Sequence, residues 1–183
     1  LFLYSLYVGH RDVNNTDGRV LLLSFGKDAP GDVCLSASDY GTAYVSLGFE
    51  FRFYSKHYKI TQVRVSNKGF VQAIINEKFV FFNAYYMAYK MYENDESSMW
   101  YRHTTNRDDL DLISSLVNNA FFKQNSNNTL DRNKYRFRCE NAFIVTWDRV
   151  VELNTQNQNT FQLVFAQSSN EQSFVLYLFD HCD

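Results

Sequence analysis

Four histidines, His10, His57, His103 and His181, and three cysteines, Cys34, Cys139 and Cys182, are the side chains of this 183-residue sequence best suited to proton transfer, nucleophilic attack or metal binding. Nucleophilic catalysis needs a serine or cysteine beside a base, and the sequence has no G-x-S-x-G elbow. It also lacks H-E-x-x-H, a P-loop and G-x-G-x-x-G, so protease, nucleotide and dinucleotide chemistry lose their usual footholds. The histidines stand isolated; His103, directly before a helical stretch, reads as a surface-loop residue. Zinc frameworks pair their cysteines at C-x2-4-C, whereas these are far apart, so no metal is expected. The stretch Asp12-Val13-Asn14-Asn15-Thr16-Asp17-Gly18 is superficially like a calcium loop. Its glycine falls one place late, however, and Leu23 stands where the bidentate glutamate belongs, so it reads as an ordinary turn. The expectation is a non-enzymatic chain with no catalytic residue and no cofactor.

The cysteines and asparagines carry a different kind of chemistry. Three cysteines suit one disulfide plus one odd thiol in an extracellular protein, against three buried thiols in a cytosolic one. All three pairings are open, with Cys139–Cys182 slightly favoured because both flank the terminal strands. Asn14-Asn15-Thr16 and Asn127-Asn128-Thr129 are N-glycosylation sequons in polar stretches where loops are expected, making Asn14 and Asn127 the candidate glycan carriers.

Composition bounds the partners. Lys+Arg 18 against Asp+Glu 20 leaves a net charge of −2, which gives nucleic acid or an anionic membrane no electrostatic attraction. With 45% hydrophobic and 17% aromatic residues the chain is expected to fold, and at this length to fold as one domain. Leu1 to Val8 are apolar but lack the basic flank and small-residue cleavage site of a signal peptide. No window reaches the about 18 uncharged apolar residues of a membrane helix, so no direct membrane insertion is expected. The absence of an initial methionine and the abrupt end at His181-Cys182-Asp183 read as a piece excised from a longer protein, with any signal or anchor outside it.

The elements follow from periodicity. Val20-Leu21-Leu22-Leu23 before the polar stretch Gly26 to Gly31 reads as strand then turn. Phe49, Phe51 and Phe53 alternate with Glu50 and Arg52, and Val63 and Val65 alternate with polar neighbours, as half-buried antiparallel strands require. Asn67-Lys68-Gly69 supplies the turn of a hairpin leading into Phe70 to Ile75. Leu110, Ile113, Val117 and Ala120 change the period to that of an amphipathic helix near 107–121, with Asn106 as its N-cap. Asp108, Asp109 and Asp111 at its start read as partners of the helix dipole. Ala142–Leu153, Thr160–Gln167 and Ser173–Phe179, joined by short polar links, predict a C-terminal three-strand meander. Segregated helix and strands place the chain in the α+β class, mainly β, as sandwich-like antiparallel sheets with one helix.

One aromatic cluster exceeds what composition explains: Phe79, Phe81, Phe82, Tyr85, Tyr86, Tyr89 and Tyr92. Core is the first reading. Tyr85, Tyr86, Tyr89 and Tyr92 are also the candidate partner-binding residues, because tyrosine offers rigid amphipathic contact area.

Five separated words then resemble one family. They are Trp100-Tyr101-Arg102-His103-Thr104-Thr105, Ala142 to Val150 with Trp147-Asp148-Arg149 at its centre, Asn159 to Val164, Ser173 to Tyr177, and upstream Val65-Ser66-Asn67-Lys68-Gly69-Phe70. Gly31-Asp32, Asp39-Tyr40-Gly41-Thr42 and Phe51-Arg52-Phe53-Tyr54 fit its first half. In order and spacing the chain resembles the NIDO domain, the extracellular module named for nidogen, over nearly its whole length. It departs at Asn83 to Lys90, where the family places a proline-aromatic-tryptophan stretch and acidic residues, so no ligand role of those acids is carried over. Ser55 likewise replaces a glycine. The resemblance implies a single divergent NIDO-like domain spanning 1–183, part of a multidomain matrix or cell-surface adhesion protein. Its partners would be matrix or cell-surface proteins and neighbouring domains. The alternative is a secreted effector capturing a glycan or small host protein. Trp147 would be a core anchor, with Asp148 and Arg149 fixing a strand end.

Overall fold

The computed structural model describes residues 3–8, 22–27, 29–35, 41–53, 58–84, 89–90, 97–122, 136–152 and 157–181. The sandwich-like, mainly β architecture, with one helix among the described residues, is as the periodicity predicts. One sheet contains β1 (Leu3–Val8), β2 (Val33–Leu35), β7 (Tyr89–Lys90), β8 (Ser98–Thr104), β9 (Asn141–Glu152), β10 (Gln158–Gln167) and β11 (Ser173–His181). Its order is β1-β11-β10-β9-β8-β2, with β7 also on β9. The predicted meander is β9-β10-β11, antiparallel throughout. The apolar N-terminal residues lie parallel to β11, Leu3 opposite Ser173 and Val8 opposite Leu178. The second sheet has the order β3-β4-β5-β6, from β3 (Thr42–Arg52), β4 (Lys59–Ser66), β5 (Phe70–Ile75) and β6 (Lys78–Asn83).

The meander strands are apolar on both faces, because the large sheet is covered twice. Phe143, Val145, Trp147, Leu163, Phe165 and Val175 face the small sheet. There Phe165 meets Phe51 edge to face at 5.0 Å and Phe82 at 4.8 Å. Ile144, Val164, Phe174, Leu176 and Leu178 form a second core with Leu110, Ile113, Leu116 and Val117 of α1 (Arg107–Phe122). The helix starts where its cap places it: the Asp108 and Asp109 amides donate to Asn106 Oδ1 at 2.8 and 3.4 Å. Asn118 fastens the other end, its carboxamide bonding both Phe137 N and O.

Two expectations are corrected. Of the predicted strand, Val20 and Leu21 lie outside the described residues, and 22–25 form no strand; instead Leu23 N and O both bond the carboxamide of buried Gln162, at 2.9 and 2.8 Å. A side chain replaces the strand neighbour that this backbone would otherwise need. His103 lies within β8 rather than in a loop, since β8 runs on to Thr104. Among the described residues no helix is long and apolar enough to cross a membrane.

Candidate functional site

The segment Trp147-Asp148-Arg149 sits at a register shift between β9 and β10. Trp147 is fully buried, stacks on Phe161 with centroids 5.0 Å apart, and donates its indole N–H to Ser66 O at 2.8 Å. That bond ties the large sheet to the β4–β5 hairpin. Arg149 has φ +51° and donates its amide to Thr160 Oγ1 at 3.0 Å. Its guanidinium lies half exposed, 3.4 Å from Asp148 Oδ2, which also accepts from Ser98 Oγ. Bulges re-aim side chains in this way, and here the result is an internal brace plus one outward arginine.

A second polar cluster, absent from sequence reasoning, lies under the helix start. Arg102 bonds Asp32 Oδ1 at 2.8 Å, Ser24 O at 2.7 Å and both Asp109 oxygens at 3.1–3.2 Å. Thr104 donates to Asp109, and the Gly26 amide donates to Asp32. The Arg102 and Asp32 side chains are sealed from solvent. One guanidinium thus joins the 24–32 loop, β8 and α1 by charge-assisted bonds from both of its terminal nitrogens. Asp109 serves this cluster as well as the helix dipole. Gly31-Asp32 and the Trp100 to Thr105 word meet here, so the family words were the available signal.

Among the described residues no three His, Cys, Asp or Glu side chains gather as a metal-binding group. The His103 ring faces Asn141 Oδ1 at 3.4 Å and the Phe49 ring at 5.6 Å, and no described carboxylate is hydrogen-bonded to it. Asn14, Asn127, Cys182, His10, His57, Tyr85, Tyr86 and Tyr92 lie outside the described residues, as does the 12–18 stretch; Tyr89 lies in β7, opposite Glu152.

Cys34 is exposed on edge strand β2, and Cys139 is buried beneath α1; no disulfide joins described residues. Burial pushes the Cys139 thiol up from 9.0 to about 12, against the pull of backbone hydrogen bonds with Gln167 and Asn141. A thiol held protonated stabilises the fold up to pH 9 and withdraws that support as pH rises toward 12. The slope is about 1.4 kcal/mol per pH unit. Urea unfolding at pH 7 and pH 10.5 is therefore expected to show wild type losing about 2 kcal/mol relative to Cys139→Ser at the higher pH. Equal shifts in both proteins would contradict the buried-thiol assignment.

Among the described residues, most of the exposed large apolar side chains lie on or beside the small sheet, with Val33 on β2 the exception. β5 and β6 form a hairpin whose turn residues, Asn76 and Glu77, have φ +48° and +63°, the geometry of a tight two-residue turn. Strand alternation turns Val80 and Phe82 inward and leaves Phe79 61% and Phe81 50% exposed. The core reading therefore holds for Phe82 and fails for Phe79 and Phe81. Ile74, directly opposite Phe79, is 56% exposed and extends the patch. β6 is an edge strand among the described residues. An apolar, uncharged-faced edge is what sequences usually avoid, because it templates pairing with another chain. Sequence reasoning missed the hairpin because Asn-Glu lacks the customary glycine.

The family model for the nidogen-like domain, NIDO, matches residues 52–182. No curated protein and no solved structure matches the chain.

Proposed function

This chain belongs to the nidogen-like domain family, and from that membership we propose that it is a non-enzymatic interaction module of a matrix or cell-surface protein, docking protein partners on the β5–β6 hairpin. The family is an extracellular type of module and in general non-catalytic. The observation carrying the reading is the run of Phe79, Phe81 and Ile74 on the outer face of an edge hairpin. β6 offers main-chain groups for an added strand, and the two rings offer side-chain anchors. Phe81 keeps one edge contact with the buried Phe70 ring at 5.5 Å, but half of its surface and more of that of Phe79 stay exposed, and contiguous exposed apolar surface of this kind supports a docking role.

The test is retention of the labelled domain on matrix deposited by cultured cells, comparing wild type with the double variant Phe79→Ser, Phe81→Ser. Each anchor is worth about 1 kcal/mol or more, so retention is expected to fall at least about tenfold. Stability is expected to fall by no more than about 2 kcal/mol, because Phe79 faces solvent and Phe81 is held only by an edge contact with Phe70. Equal retention by the two proteins would overturn this assignment.

A further inference from the structure

The middle of the same sheet carries a second, different feature. Tyr44, Arg64, Gln72 and Phe81 stand in one cross-strand row, Tyr44 opposite Arg64, Arg64 opposite Gln72, and Gln72 opposite Phe81. Gln62 occupies the neighbouring row of β4. Between β3, β4 and β5 lies a groove of about 210 Å³ lined by the polar Tyr44, Lys59, Thr61, Gln62, Arg64 and Gln72 and by the apolar Val63 and Ile74.

Arg64 is the anomaly. It is half-buried, its Nε is sealed from solvent, and that nitrogen has no hydrogen-bond partner. No described ion pair involves it, and the one acid of β3, Glu50, is paired with Lys59 at 2.6 Å. An unmet buried donor on a guanidinium calls for an explanation, and an oxyanion that can present two oxygens together, a carboxylate or a sulfate, matches its fork. The remaining lining says what bears that acid. Around Arg64, β4 is paired on both sides, so no main-chain group is free to read a peptide. Two carboxamides and a hydroxyl suit sugar hydroxyls, and the ring of Tyr44, 67% exposed, suits the apolar face of a pyranose.

We propose that this groove binds an anionic saccharide, with its carboxylate or sulfate on Arg64 and a sugar ring against Tyr44. The groove borders the hairpin patch at Ile74, which lines both, but the proposed contacts, Arg64 and Tyr44, lie on β4 and β3 and not on the β6 edge.

The experiment is titration of the isotopically labelled full chain, followed by NMR at low salt. The probes are a chondroitin sulfate tetrasaccharide, a hyaluronan tetrasaccharide carrying carboxylates alone, neutral cellotetraose and a hexaglutamate peptide. The expected result is binding of one or both acidic saccharides with shifts at Tyr44, Gln62 and Gln72. Arg64→Gln is expected to weaken it at least about tenfold, and Tyr44→Ala several-fold. Preference between the first two probes identifies the acid as sulfate or carboxylate. Arg64→Lys keeps the charge but not the fork; it is expected to bind several-fold more weakly than wild type and carries the test if Arg64→Gln does not fold. Absence of binding by both acidic saccharides, unchanged affinity in the Arg64 variants, or equal binding of cellotetraose or hexaglutamate would each overturn the proposal. Matrix retention of the Phe79, Phe81 variant scores the hairpin separately.

Discussion

Replacing Arg102 with alanine is expected to cost about 3–5 kcal/mol of stability. At this chain length that lowers the unfolding midpoint by about 10 °C. The magnitude comes from what stays behind. Asp32 is sealed in the interior and Asp109 nearly so, and both lose their countercharge at once. The Ser24 carbonyl also loses its donor. A double-mutant cycle separates this from lost packing: Arg102→Ala with Asp32→Ala is expected to be little worse than Arg102→Ala alone, because the second change removes one stranded charge. Additive losses in urea unfolding would show that the two residues do not act as a unit.

The second large effect is expected at Trp147. Trp147→Ala removes a fully buried indole from the interface of the two sheets and should cost about 3–5 kcal/mol. Trp147→Phe keeps most of the packing on Phe161 but leaves Ser66 O without its indole donor, which should cost about 1–3 kcal/mol. A phenylalanine variant as stable as wild type would mean that the indole bond does not brace the hairpin of the small sheet against the large one. Trp147→Ala and Arg102→Ala sit in separate cores, one between the sheets and one by the helix start, so their costs are expected to add.

These two residues also mark how much was legible in the sequence. The helix was readable because Leu110, Ile113 and Val117 repeat with its period and Asn106 caps it, both local properties. The meander was readable because long apolar runs with short polar links leave little alternative. The Asp32–Arg102–Asp109 cluster was not readable from spacing: Asp32 and Arg102 lie 70 residues apart, and nothing local marks their meeting. Only the family words hinted at it. The aromatic run 79–82 misled because density of large residues argues for core, whereas strand alternation divides it between two faces. Leu23 misled for the opposite reason: it reads as part of a strand, whereas its backbone is partnered by the Gln162 side chain.

The central claim, that the domain docks partners on the exposed β5–β6 hairpin, is tested most directly by amide hydrogen exchange of the domain free and bound to cell-deposited matrix. The account predicts that binding slows exchange across 74–83, with the helix 107–122 unchanged. Slowed exchange confined to the helix, or to the β2 edge around 33–35, would contradict it.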